Sequence, residues 1–506
     1  MFDGLVAFGH SLVHFGTPTV IGYALLSSLV GVVIGALPGL TATMGLALMT
    51  TLTLKLPADQ ALLVLICTYV GAIYGGSRSA ILLNIPGTPA SAASCLDGHA
   101  LARQGLAGRA MGIATTGSVL GTLIGMVALA AFTPILGNLA LKFGAYEFFW
   151  LALFGVIIAG TLTGDDPLKG WIAGIAGLFI PMIGQESQYA YERFSFGLRD
   201  LAGGIQLVPA LVGAFGFAEL LTAMRDRQAP VTINPFDTVI PRLADITRYW
   251  RTIVRSGLIG TGVGVVPGVG EDVAAWSSYA AAKRASKERA QFGKGSIEGL
   301  MAAETGDNAC VPGAVIPVLT LAIPGSAPAA VLMAAMIIHG VKPGPMIMIE
   351  SPQFVYDVVA MMLFATLGIL IYGIVLTKLL VQVLRVPQHV ITPIIFVLCT
   401  VGSFAIAGRL FDVWVMLALG VIGYVLRHFG YPMAPLVLGI VLGDLLEKNL
   451  RRALVLSDGD LTPFFSRPIS GVLAATIIGT IAWRLISLRR RPGLTAGRPA
   501  PAAESP

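Results

Sequence analysis

Pro-Gly pairs stand in apolar surroundings at Pro38-Gly39, Pro86-Gly87, Pro267-Gly268 and Pro324-Gly325. Proline removes a backbone donor and clashes with the preceding turn, and glycine adds conformational freedom, so a helix breaks at each pair. A helix restarting beyond a break exposes unpaired N–H groups and the positive end of its dipole, which attract anions. Thr41, Thr43, Thr88, Ser91 and Ser326 follow the breaks, where hydroxyls can cap the new helix and touch a ligand. The carbonyls left behind, near Ala36, Asn84, Val265 and Ala322, are oxygen ligands suited to Na+ or a proton relay. Taken singly, any one pair also reads as a kink.

Charged residues close to the breaks extend the candidate site. Arg78 lies in an apolar surround and needs a partner or a watery cavity unless it snorkels to the interface. Glu271 and Asp272, just after Pro267-Gly268, can bind a cation, pair with Arg78 or sit at a hairpin tip. Glu304, Asp307 and Asn308 precede the last Pro-Gly pair and read as cavity-lining rather than as a turn at Gly306. Asp97, Arg103 and Arg109 read as an ordinary solvated loop, and His99 and His339 as interfacial hydrogen-bonding groups.

The elements that position these residues recur. Gly35-Ala36-Leu37-Pro38-Gly39-Leu40 matches Gly264-Val265-Val266-Pro267-Gly268-Val269 at an offset of 229 residues, which also pairs Gly31 with Gly260. Leu83-Asn84-Ile85-Pro86-Gly87-Thr88 matches Leu321-Ala322-Ile323-Pro324-Gly325-Ser326 at an offset of 238. Similar offsets in the same order argue for a duplication, as in transporters built from inverted repeats. Broken backbone at membrane depth is tolerated only where protein or a water-filled cavity satisfies it, so paired breaks point to a buried site.

Composition places these repeats in a bilayer. Of the 506 residues 55% are hydrophobic and 12% charged, with a mean hydropathy of +0.81, against roughly 25% charged residues in soluble domains. Val359–Leu376 and Ile391–Ala407 carry no charge, and Leu106–Leu141 only Arg109; these read as spanning helices. The net charge of +6 is gathered in short basic segments, at 225–255, 283–294 and 489–491. That pattern marks cytoplasmic loops and a cytoplasmic C-terminus rather than a nucleic-acid surface. Residues 257–282 have basic flanks on both sides and read as a re-entrant hairpin turning at Pro267-Gly268. The N-terminus lacks the basic region and cleavage site of a signal peptide, and residues 1–16 are expected to be retained at the interface. Cys67, Cys95, Cys310 and Cys399 are scattered and without histidine neighbours, so no metal set is expected.

Enzyme motifs are missing: no H-E-x-x-H, G-x-S-x-G or Walker sequence occurs, and Gly260-Thr261-Gly262-Val263-Gly264 is no dinucleotide fingerprint. Asp357 and Asp444 are the only loose candidates for an intramembrane aspartyl protease.

The sequence resembles a known family. Tyr74-Gly75-Gly76-Ser77, the run from Ile81 to Ala92, Asp97-Gly98 and Gln104-Gly105 resemble the TctA family, the large membrane subunit of tripartite tricarboxylate transporters. In the second half Phe292-Gly293-Lys294-Gly295, Glu298-Gly299, Glu304, Asn308-Ala309, Ile316-Pro317, Leu319-Thr320-Leu321, Ile323-Pro324-Gly325-Ser326, His339-Gly340 and Pro343-Gly344-Pro345 follow the same family pattern in order. The resemblance covers nearly the whole chain apart from the tail. It implies a secondary transporter coupled to Na+ or H+, working with a small membrane subunit and a periplasmic solute-binding protein, and an elevator-like motion by analogy. Arg78, Asp307 and the Glu271-Asp272 pair depart from the family's pattern, which leaves the substrate open.

The expectation is an all-α polytopic membrane protein with two structural repeats and re-entrant, Pro-Gly-broken helices. Its parts are a first repeat at 1–223, a polar cytoplasmic linker at 224–256, a second repeat with additional helices at 257–488 and a disordered cytoplasmic tail at 489–506. It takes up a small carboxylate, a tricarboxylate or another, across a bacterial inner membrane without a cofactor. Pro38, Gly39, Thr41, Arg78, Asn84, Pro86, Gly87, Thr88, Pro267, Gly268, Asn308, Pro324, Gly325 and Ser326 are the expected substrate site, and Thr43, Glu271, Asp272 and Asp307 the expected coupling-ion site. A passive channel shares the broken helices, and a scaffold without transport is the third reading.

Overall fold

Long apolar runs without charge leave helix as the only structure that satisfies the backbone in lipid, and the computed structural model is built of helices. It describes residues 2–37, 40–163, 166–186, 190–225, 239, 242–375 and 388–489. Among these the only strands form one short antiparallel pair, Gly184–Gln185 with Glu192–Arg193. Six of the described helices are long and apolar enough to cross a bilayer, from Pro18–Ala36 to Leu410–His428.

The first repeat begins, after α1 (Phe2–Phe15), with α2 (Pro18–Ala36), α3 (Ala42–Leu52) and α4 (Ala58–Leu83). A composite helix, α5, occupies residues 89–103 and widens into a π-helical turn at Cys95–His99. α6 (Ala107–Ala140), α7 (Ala145–Leu162) and α8 (Pro167–Phe179) follow, then a second composite helix, α9, at residues 207–225. The second repeat comprises α10 (Leu243–Val265), α11 (Gly270–Ala285), α12 (Ile297–Leu321) and α13 (Ala327–Ile338). After it come α14 (Gln353–Val375), α15 (Gln388–Ala407), α16 (Leu410–His428), α17 (Met433–Leu456) and α18 (Pro468–Arg489).

The offsets read from the sequence recur in the packing. In the first repeat, glycines let the α2 and α4 backbones touch, with Gly31 against Thr68, Gly35 against Ala72 and Gly75 against Val32. The offsets of 229 and 238 carry these contacts onto Gly260 against Gly306, Gly264 against Cys310 and Gly313 against Thr261, between α10 and α12. Helix ends match as well. α4 stops at Asn84 and α12 at Ala322, both left-handed, with φ of 57° and 56°. Asparagine tolerates that conformation, whereas alanine pays for it in strain. The Ala322 turn is held by Ile323 N–H donating to the Pro317 carbonyl at 3.2 Å.

One boundary differs from the sequence reading. Residues 243–256, assigned to the linker, are the first turns of α10, kinked at Tyr249. Ion pairs stabilise this polar segment: Arg109 with Asp245 at 3.3 Å, and Arg248 with Glu288. It has no continuous apolar run, but Tyr249, Thr252, Ile253 and Ser256 are buried at helical spacing.

Candidate functional site

The helices that restart after the breaks converge. A cavity of about 310 Å³ is lined by Thr41, Ala42 and Thr43 at the start of α3, Thr88, Pro89 and Ala90 at the start of α5, Gly268 to Asp272 at the start of α11, and Ala327 and Pro328 at the start of α13. Each repeat contributes two helix N-termini. Thr41 Oγ1 accepts the Met44 N–H at 3.2 Å and Ser326 Oγ the Ala329 N–H at 3.3 Å, so the expected caps are formed at α3 and α13. Four positive helix ends around one cavity favour an anion, and Glu271 and Asp272 in the first turn of α11 add affinity for a cation.

The opposite wall comes from beyond the four restarting helices: Thr163, Phe215 and Glu219, then Arg427 and Tyr431 to Ala434. Arg427 pairs with Glu219. Sequence reading missed this pair because neither residue lies in a repeated motif. It also missed Tyr69, whose hydroxyl donates to Glu271 Oε1 and stands 2.6 Å from Ser326 Oγ. A tyrosine in mid-helix gives no local signal, but the offset of 238 sets it opposite Asp307.

Of the expected site residues, Thr41, Thr43, Thr88, Gly268, Glu271 and Asp272 line the cavity. Ser326 sits directly behind it, and Gly87 and Gly325 press against the Gly35 and Gly264 carbonyls, which brings each break onto its hairpin. Pro267 and Pro324 are buried in the turns, while Asn84 and Pro86 are exposed. Pro38 and Gly39 lie outside the described residues.

Three expectations are corrected. Arg78 does not meet Glu271 or Asp272 and does not line the cavity. It stands nine residues beyond Tyr69 on α4, half a turn round at about 100° per residue, and so points the opposite way. Its guanidinium reaches Met111 Sδ at 3.0 Å and Thr115 Oγ1 at 3.3 Å on α6, over the Tyr74 ring at 4.2 Å. Glu304, Asp307 and Asn308 do not line the cavity either; they lie within the unbroken α12, and all three are fully buried. Glu304 accepts from Ser94 at 2.5 Å and Ser118 at 2.9 Å. Asp97 is not in a solvated loop. Its Oδ1 accepts the N–H groups of Gly293, Gly295 and Ser296 at 2.8–2.9 Å, and its Oδ2 the Tyr279 hydroxyl at 2.9 Å.

Comparison with known proteins gives the same direction. A family model described as "Tripartite tricarboxylate transporter TctA family" matches residues 21–438. An uncharacterised 52.8 kDa protein in the TAR-I ttuC' 3' region of Agrobacterium vitis is 35% identical over 471 residues, 93% of this chain and 94% of its own length. An uncharacterised protein in the TAR-II ttuC' 3' region of the same organism is 38% identical over 220 residues, 44% of this chain and 89% of its own. No solved structure matches.

Proposed function

The chain belongs to the tripartite tricarboxylate transporter TctA family, which makes it a multi-pass membrane component of a transporter and not an enzyme, and from that premise we propose that it carries out secondary active uptake of a small organic anion. The substrate is a tricarboxylate or another carboxylate, delivered by a periplasmic binding protein, and a small membrane subunit completes the complex in the inner membrane. Na+ or H+ drives the step. The observation that carries this reading is the convergence of four helix N-termini, two from each repeat, on one cavity. Positive helix ends suit carboxylates, and the acidic pair beside them suits a coupling cation. The test is accumulation in proteoliposomes holding the chain, its small subunit and its binding protein. Uphill uptake that collapses with the ion gradient is expected; passive, non-saturating flux would make the protein a channel.

The membrane arrangement follows from charge and length. The apolar part of α10, from Gly257 to Val265, is nine residues, about 14 Å long, against a hydrocarbon core of roughly 30 Å. Such an arm reaches the middle and turns back. Arg248 at its base pairs with Glu288 at the far end of the hairpin, which supports both flanks lying on one side, the cytoplasmic side by their basic charge. Ile81, near the end of α4, and Leu300, near the start of α12, belong to one apolar cluster. Equivalent helices of the two repeats then run in opposite directions, so α2 and α3 enter from the periplasm. The Arg489–Arg491 run supports a cytoplasmic C-terminus. Cysteines placed at Trp250 and Ala290 are expected to react with an impermeant label from the same, cytoplasmic side. Labelling from opposite sides would make residues 257–282 a single span.

A further inference from the structure

The two repeats are unequal at one pair of equivalent positions, and the inequality leaves oxygen atoms without partners. The offset of 238 sets Tyr69 against Asp307 and Thr88 against Ser326. In one half the contact is closed, since the Tyr69 hydroxyl reaches Ser326 Oγ at 2.6 Å. In the other half the equivalent side chains are Asp307 and Thr88, and an aspartate is shorter than a tyrosine by the whole ring.

The register of α5 on α12 sets these groups on facing elements. Asp97 bonds to the backbone at 293–296, and Ser94 donates to Glu304. Continued antiparallel, the same register carries Ser91 and Thr88 toward Asp307 and Cys310, and the 89–91 turn packs on α12. Asp307 Oδ2, Asn308 Oδ1 and Thr88 Oγ1 are all buried and all without a hydrogen-bond partner. The exposure of these residues is 0, 0 and 2%. Asp307 Oδ1 is engaged by Asn308 Nδ2 at 2.8 Å, which turns the amide oxygen outward. Among the described residues no basic side chain pairs with Asp307. A carboxylate at membrane depth without a counter-charge is costly.

We propose that Asp307, Asn308 and Thr88 bind one Na+ ion between α12 and the start of α5, at the place that the Tyr69 hydroxyl fills in the other half. The donors are a carboxylate, an amide carbonyl and a hydroxyl, hard oxygens that suit an alkali cation rather than a transition metal. Among the described residues no three His, Cys, Asp or Glu side chains gather to hold a metal. Thr88 also lines the cavity. Ion and anion therefore share the start of α5, where opposite charges attract, and linkage makes any gain in affinity reciprocal. The proposal rests on the transport reading for its physiological meaning, as the coupling ion, but not for its test.

That test uses Na+ alone. The purified chain in detergent, without substrate, is melted in NaCl, KCl and choline chloride at equal ionic strength. The wild-type Tm is expected to rise in NaCl over KCl by about 2 °C or more. Asp307→Asn, nearly the same shape without the charge, is expected to lose the rise while melting normally in KCl. Thr88→Val is expected to need at least about tenfold more Na+, a difference of about 1.4 kcal/mol, and Thr88→Ser to behave as wild type. The site is overturned if Asp307→Asn keeps the Na+ response, or if the wild type responds to pH and not to Na+, which would make the ion a proton. Failure of uptake with the Na+ response intact would sink only the transport reading. Na+-independent uptake with the Na+ response intact would sink only the coupling role and leave the site standing.

Discussion

Gly325→Ala and Gly87→Ala are each expected to lower initial uptake by about a hundredfold or more. The reason is close approach and not backbone conformation, because neither glycine has a positive φ. A Cβ at Gly325 would collide with the Gly264 carbonyl and come within 2.7 Å of Ala314 Cα. A Cβ at Gly87 would collide with the Gly35 carbonyl and lie 2.9 Å from Gly76 Cα. These obstacles are backbone and cannot swing aside as the end of a long side chain can. The break must move off its hairpin, breaking the bonds from Gly325 N–H to the Ala314 carbonyl and from Gly87 N–H to the Gly76 carbonyl, each 3.3 Å. Overpacking of this kind costs about 1–3 kcal/mol in stability, which a membrane-embedded helical protein tolerates. A displacement of about 1 Å at a binding site can cost a hundredfold in rate. Gly262 on α10 is the internal control, since a Cβ there meets nothing within 4 Å and Gly262→Ala is expected to transport normally. The measurement is uptake in proteoliposomes normalised to reconstituted protein. Wild-type rates in both Gly325→Ala and Gly87→Ala would remove the breaks from the transport site.

Those glycines were legible in the sequence because Pro-Gly in an apolar run has few uses, and because its recurrence at two matching offsets has fewer. Once Gly35 is seen against Ala72, the same offsets point to Gly264 against Cys310, a contact that no single motif could reveal. The start of α10 was not legible. Its charges suggested a linker, and only tertiary structure shows Arg109 and Glu288 holding Asp245 and Arg248 along a helix.

At the site, residues within a few positions of a break were found, since chain proximity fixed their place whatever the fold did around them: Thr41, Thr88 and Glu271 are of this kind. Residues that reach the cavity from mid-helix were not. Arg78 was drawn toward the acidic pair by charge alone, and helical phase sends it to α6 instead. Charge complementarity suggests a partner only after the face of the helix is known. Tyr69 shows the converse: its helical position was open to reading all along, yet its role follows only from equivalence with Asp307 across the repeats.

Asp97→Ala is expected to destabilise the protein by several kcal/mol. One carboxylate accepts four hydrogen bonds here, three from the loop amides of Gly293, Gly295 and Ser296 and one from Tyr279, and it is fully buried. Removing it leaves those donors without acceptors, each costing about 1–3 kcal/mol where water cannot replace the lost partner. The space cannot be refilled cheaply, because Gly299 stands against the carboxylate with no side chain of its own. Asp97→Asn keeps one acceptor oxygen for the loop amides and is expected to cost about 1–2 kcal/mol. The consequence reaches beyond stability. Asp97 lies on α5 of the first repeat, while the loop it grips joins α11 to α12 in the second, so the bond set fixes the start of α12 relative to the arm that carries Thr88. In Asp97→Ala the loop should open, and limited trypsin digestion of the purified protein should cut after the exposed Lys294 well before it does so in wild type. A Tm and a cleavage rate both unchanged in Asp97→Ala would show that the loop is held by its helices alone and that Asp97 takes no part in joining the two repeats.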